Sequence, residues 1–239
     1  MRLLAIVHQR DAGPGVFEEA LRDGGAALDT WLPAEVQEPP APAAGYDAVL
    51  VFGGAMHVDH EQRHPWLRPE KALLRDLLER EVPILAVCLG AQLLAEAAGA
   101  AVGRASRPEI GWHDVELTDD GSRDPLLAPL APRFEAFQWH SYAFELPPGA
   151  TALARSPVCL QAYRIGNTSW GIQFHAEVTG ADAEAWIDDY RSDDDAVRID
   201  VDPDALRQRT RAAIGPWNAL GRALVGRFVT AVAPYSGVT

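Results

Sequence analysis

A single stretch, Pro83 to Gln92, constrains what this chain can fold into more than any other. Ile84, Leu85, Ala86 and Val87 form an unbroken apolar run, the pattern of a short strand buried on both faces in a helix-covered parallel sheet. Cys88 ends the run, Gly90 follows, and Gln92–Ala98 reads as a helix stopped by Gly99. A strand that breaks sharply into a helix with a nucleophilic side chain on the corner is a nucleophile elbow, and the small residues Ala86 and Gly90 let it close. The corner also places the thiol at a helix N-terminus, where the dipole and free N–H groups favour thiolate. By itself the turn leaves two readings open, a reactive Cys88 and a small buried hydrophobe.

Two further stretches bear on that choice. Ser169–Glu177 alternates like a strand, and on an extended chain His175 and Glu177 share a face near its end. A cysteine nucleophile needs a base, and the base needs an acid to orient it. Val51-Phe52-Gly53-Gly54 reads as another strand ending in paired glycines, whose backbone N–H groups can approach a developing oxyanion. The N–H of Leu89 is the natural second donor.

V-F-G-G ending at Gly54, V-C-L-G-A-Q-L-L-A around Cys88 and G-I-Q-F-H-A-E around His175, in this order, resemble class I glutamine amidotransferases. More narrowly, they resemble the stand-alone proteins related to the glutaminase domain of GMP synthase, as do the stretch from Pro65-Trp66-Leu67 to Gly90 and Arg107–Trp112. The resemblance runs from Met1 to about Tyr190, with Ala86 where the family usually has Gly and Ala176 where it has Pro. It implies a flavodoxin-like three-layer α/β fold, a mainly parallel central sheet with antiparallel edge strands, over residues 1–190. It implies that Cys88 attacks the side-chain amide of glutamine, that His175 is the base, that Glu177 orients it, and that Gly54 and Leu89 form the oxyanion hole. A γ-glutamyl thioester and free ammonia follow, the ammonia passing to a separate synthetase partner whose docking straightens the Gly53–Met56 loop. The substrate-binding residues it implies are Gly53, Gln92, Trp139, His140, Ser141 and Tyr142. Position 139 is often Asn or Ser in the family, so Trp139 points to an altered pocket. Two alternatives stand beside this reading: a self-sufficient hydrolase of γ-glutamyl conjugates, and a non-catalytic regulatory or binding subunit.

The rest of the chain fits an α/β protein. Strands are expected at Leu3–Val7, Ala27–Leu32 and Ala48–Phe52, and helices at Gly15–Asp23 and Trp66–Arg80. A proline-rich loop is expected over Glu38–Gly45. From Gly111 strands follow one another without helices: Trp112–Leu117, Phe134–Trp139, Ala143–Leu146, Ala152–Ala154, Leu160–Ile165 and Trp170–Phe174, then a helix at Asp182–Tyr190. Residues 191–239 read as an acidic, solvated linker, Arg191–Asp204, and two helices, Ala205–Ala213 and Trp217–Ala231, that pack on the main domain or on a second copy.

With 239 residues, 48% hydrophobic, the chain can bury one sizeable core. A net charge of −13 argues against a nucleic-acid or anionic-membrane surface. Two cysteines far apart in sequence form no disulfide framework and suit a reducing cytoplasm. Neither a signal peptide nor a membrane span is expected. There is no glycine-rich phosphate loop and no ATP-pyrophosphatase motif, so no cofactor and no synthetase half is expected. His57, His60 and His64 follow a Gly-Gly turn and precede Pro65, which makes them a rim loop with no metal expected, and Cys159 reads as core. His8 and His113 have no partner that the sequence names.

Overall fold

The structure is a computed structural model that describes residues 1–39, 41–42 and 45–235. The proline-rich loop expected over Glu38–Gly45 therefore lies partly outside the described residues.

Alternating strands and helices open the chain: β1 (Arg2–Ile6), α1 (Gly15–Asp23), β2 (Ala27–Trp31), β3 (Ala48–Val51), α2 (Leu67–Glu79), β4 (Ile84–Val87) and α3 (Leu89–Ala97). Then come β5 (Val102–Leu117), β6 (Arg133–Phe144), β7 (Thr151–Arg155), β8 (Leu160–Ile165) and β9 (Ser169–Ile172). The helices α4 (Gly180–Asp188), α5 (Asp194–Arg198) and α6 (Pro203–Val232) end it. One nine-stranded sheet holds all the strands, in the order β2-β1-β3-β4-β9-β8-β7-β5-β6. From β2 to β9 neighbours run parallel; from β9 to β6 they run antiparallel.

Successive side chains of the parallel strands enter two separate cores, as the pleat requires. Leu3, Ala5, Leu50, Leu85 and Val87 pack on one side with Phe17 of α1 and Trp217, Leu224 and Phe228 of α6. Leu4, Ile6, Val49, Val51, Ile84 and Ala86 pack on the other with Leu74 and Leu77 of α2 and Leu93 and Leu94 of α3. The result is the three-layer flavodoxin-like arrangement.

Several expected boundaries move. Trp112–Leu117 is the second half of β5, and Phe134–Trp139 and Ala143–Leu146 merge into β6. The two strands pair along most of their lengths on either side of a register shift between Arg104 and Glu109, so Arg107-Pro108 lies in the irregular stretch that joins the two paired parts of β5. The two tail helices are one, α6, 30 residues long and continuous through Pro216. Pro216 lies on the exposed face, where water can satisfy the carbonyl its ring leaves unpaired, while Trp217, Gly221, Leu224, Val225, Phe228 and Val232 keep one buried stripe. That stripe is used within the chain, against α1, α4 and the sheet. Among the described residues no helix is long and apolar enough to cross a membrane.

Candidate active site

The carboxyl ends of β3, β4 and β9 converge on Cys88. Its backbone has φ +51° and ψ −111°, a conformation that costs an L-residue about 1–3 kcal/mol and persists only where surroundings enforce it. The enforcement is visible. Cys88 N–H donates to the Ile172 carbonyl at 2.8 Å, and Gly90 N–H donates to that of Phe52 at 3.0 Å. A Cβ at position 90 would fall 2.3 Å from the Val51 oxygen, so only glycine fits under the turn. The helix consequently begins at Leu89, directly after the thiol and a turn earlier than the residue pattern indicates. Cys88 is 5% exposed, and its sulfur lies 3.9 Å from the Trp139 carbonyl.

His175 and Glu177 are not on a strand: β9 ends at Ile172, and the pair sits on the loop that follows. Their shared direction nevertheless holds, with Nδ1 of His175 2.7 Å from Oε1 of Glu177 and both residues buried. Burial alone disfavours the imidazolium, but the Glu177 carboxylate and the hydrogen-bonded Cys88 side chain outweigh it and raise His175 to about 10. Trp186 of α4 closes one side with its ring edge-on to the imidazole, centroids 4.9 Å apart.

This loop is fixed through its backbone. His175 N–H donates to the Phe137 carbonyl at 2.9 Å, and Val16 N–H to the Glu177 carbonyl at 2.8 Å. Two donors come from α6: Trp217 Nε1 to the His175 carbonyl at 2.8 Å and Asn218 Nδ2 to that of Val178 at 2.7 Å. Gly221 is required beside them, because a Cβ there would stand 2.0 Å from the Ala176 oxygen.

Gly53 lies beside both Cys88 and His175: a Cβ built on it would be 3.0 Å from His175 Cε1 and 3.6 Å from Cys88 Cβ. Its carbonyl faces Nδ1 of buried His8 at 3.0 Å, and Nε2 of His8 is 2.8 Å from Oε1 of buried Glu70. The next loop amide, Ala55 N–H, donates to Gln9 Oε1 at 2.7 Å.

A cavity of about 510 Å³ opens over Cys88, lined by Gly54, Leu89, Gln92, Trp139, His140, Ser141, Tyr142 and His175 among others. Gly53 and Glu177 stand just behind this wall. Gln92 is buried, its Nε2 donating to the Tyr142 carbonyl at 3.1 Å and to Gln173 Oε1 at 3.2 Å. His140 faces its own strand, with Nδ1 2.9 Å from the Tyr142 carbonyl. Its Nε2 lies 3.3 Å from Glu109 Oε2. Glu109, His140 and Cys159 are close enough together to hold a metal ion, but Gln161 Nε2 and Ser156 Oγ already donate to Glu109 at 2.8 and 3.0 Å. Burial and Glu109 push the Cys159 thiol up to about 12, away from the ligating thiolate.

The acidic segment is not solvated along its whole length. Asp193 caps α5 and accepts from Trp139 Nε1 at 2.9 Å, while buried Asp195 pairs with Arg104 and Arg198. Both aspartates line the cavity, so the segment forms part of its wall. His57 and His60 sit on the opposite rim, His57 stacked on Tyr142 with ring centroids 4.0 Å apart.

Residues 18–189 match the model of the family described as glutamine amidotransferase class-I. The chain belongs to that family. It is 31% identical over 192 residues to the glutamine amidotransferase-like protein YfeJ of Salmonella typhimurium, across 78% of this chain and 80% of that one. Identity to the glutamine-hydrolysing GMP synthase subunit of Haloquadratum walsbyi is 31% over 183 residues, 74% of this chain and 90% of that protein. A glutamine amidotransferase structure from Thermotoga maritima matches with a TM-score of 0.86 and 31% identity, covering 96% of this chain and 98% of the other.

In this amidotransferase, the site residues that sequence patterns miss lie mostly outside the matched span. His8, Gln9, Asp193, Trp217 and Asn218 reach the site only through long-range contacts, and no local spacing announces them. Trp186, inside the span, is one apolar residue of a short helix until the fold brings it against His175.

Proposed function

We propose that the chain cleaves the γ-glutamyl amide bond, with glutamine as its first substrate, through Cys88, His175 and Glu177. The observation that carries this reading is the orientation of the imidazole. With Nδ1 committed to Glu177 at 2.7 Å, Nε2 is the nitrogen left to meet the Cys88 side chain, which lies beside Gly53 together with the ring. His175 holds the thiol's proton as Cys88 Sγ adds to the amide carbon, then gives it to the departing nitrogen. The negative oxygen is received by the N–H groups of Gly54 and Leu89, neither of which has a partner among the described residues. The γ-glutamyl thioester is then hydrolysed to glutamate, and the ammonia goes to an acceptor on another protein, as the likeness to a glutamine-hydrolysing GMP synthase subunit supports. Gln92, Ser141 and Tyr142 bind the amino-acid end of the substrate.

A second reading, a hydrolase of larger γ-glutamyl conjugates, is favoured by the size of the cavity and by Trp139, Asp193 and Asp195 on its wall. Release of ammonia and glutamate from glutamine, measured beside amine release from a panel of γ-glutamyl amides, separates the two. Turnover of conjugates with glutamine ignored selects the second; inertness toward all of them refutes both.

A further inference from the structure

His8 and Glu70 form a fully buried pair that the chemistry above does not use. The ring of His8 stacks on Trp66, centroids 5.4 Å apart, and its two nitrogens point at the Gly53 carbonyl and the Glu70 carboxylate. A carbonyl oxygen only accepts, so Nδ1 carries a proton whatever the state of Nε2. The Gly53–Gly54 peptide is trans, the described cis bond being Ala131-Pro132, so the Gly53 C=O and the Gly54 N–H point in opposite directions. Holding the carbonyl toward His8 turns the N–H away from it. His8 is absent from the cavity wall, whereas Gly54, Cys88 and Leu89 all line it. On the other side of the peptide, Gln9 Oε1 fixes Ala55 N–H. Consecutive residues leaving β1 thus grip the loop leaving β3 at two points.

We propose that His8, backed by Glu70 and assisted by Gln9, holds the Gly54 N–H toward Cys88, so that the oxyanion site stands assembled in the chain alone and amide cleavage needs no docked partner. The inference rests on the proposed amide-cleaving reading and specifies how that site is regulated. His8 is a positioning residue, acting through the Gly53–Gly54 peptide and not on the substrate.

The test uses the purified full chain with kcat and KM for glutamine or the best γ-glutamyl amide, the rate of Cys88 alkylation by iodoacetamide, and thermal unfolding. His8→Gln places its amide where Nε2 stood and leaves the Gly53 carbonyl without its donor. A misaimed oxyanion donor lowers kcat about 10²–10³-fold, with KM and Cys88 alkylation unchanged, since alkylation builds no oxyanion. His8→Asn puts a donor where Nδ1 stood and keeps kcat within about tenfold, the worth of one hydrogen bond. Gln9→Ala, which leaves the buried pair intact, lowers kcat about tenfold by the same measure without lowering the unfolding temperature. Wild-type kcat in both His8→Gln and Gln9→Ala overturns the inference. So do equal losses in the Gln and Asn variants that track thermal stability, which would make His8 core support only. A wild-type chain labelled at Cys88 by a glutamine-like electrophile, yet inactive until another protein is added, overturns the inference and spares the amide-cleaving reading. Failure of that electrophile to label Cys88 removes the reading itself.

Discussion

Two buried histidine–glutamate pairs flank Gly53, and they are built in different ways. His175 and Glu177 are two positions apart on one loop, and the imidazole borders the cavity. His8 and Glu70 are 62 positions apart on different elements, and the imidazole is sealed behind the glycine loop. In both, a carboxylate within 2.8 Å raises the histidine against the opposing effect of burial. What differs is the group the second nitrogen meets: a thiol in one case, a peptide carbonyl in the other. On the proposed reading, the same dyad serves proton transfer where it meets a titratable group and backbone orientation where it meets a fixed one.

Substitutions break this comparison at graded depth. His175→Ala removes the base and is expected to lower kcat on the order of 10⁴-fold, whereas His8→Gln costs the smaller factor given above. If the two losses prove equal, the division of labour between the pairs is wrong. Glu177→Gln keeps the shape and removes the charge, with an expected loss of about 10²-fold in kcat and a fold unchanged by circular dichroism.

The pH profile sharpens the comparison. The folded pKa of His175, about 10, lies above its ordinary 6.5. The imidazolium's contribution to stability is therefore fully present below pH 6.5 and lost as pH rises through about 10. The alkaline limb of kcat/KM is expected near that upper value, and Glu177→Gln is expected to move it to lower pH. A limb that stays in place would mean that Glu177 does not set the charge on His175.

Trp217→Phe removes one hydrogen bond to the base loop, and kcat is expected to fall about tenfold or less, the net worth of such a bond, with steady-state kinetics as the check. The smallest perturbation is chemical. A glutamine-like electrophile is expected to label Cys88 and leave Cys159, held up near 12 by burial and Glu109, unmodified in peptide mapping. Equal labelling of both would remove the distinction between a thiol at a helix N-terminus on the cavity wall and one set beside a carboxylate.

The contrast between the pairs also explains what could be read from the chain before its fold was seen. The elbow at Cys88, the His175–Glu177 pair and the parallel half of the sheet depend on neighbours in sequence, where apolar period and turn chemistry speak directly. The Gly215-Pro216 step reads as a break because Pro disfavours helix interiors, yet the buried stripe from Trp217 to Val232 overrides it. Asp193 reads as one acid in a solvated run because Trp139, its partner, is 54 residues away. His8 had no legible role for the same reason. Local chemistry is legible and long-range support is not, so the residues proposed to react follow from sequence neighbours and most of those proposed to aim them do not.

The seat of α6 on the base loop has a consequence for how the molecule opens. Trp217, Asn218 and Gly221 join the helix to the carbonyls of His175, Ala176 and Val178, so neither can loosen without exposing the other's polar groups. Helix and loop are then expected to open as one cooperative unit, with backbone amides that exchange with solvent together and not in sequence order. Trp217, Asn218 and Gly221 sit near the middle of this 30-residue helix, so fraying of its ends leaves the loop in place, and only unseating of the whole helix is expected to release it.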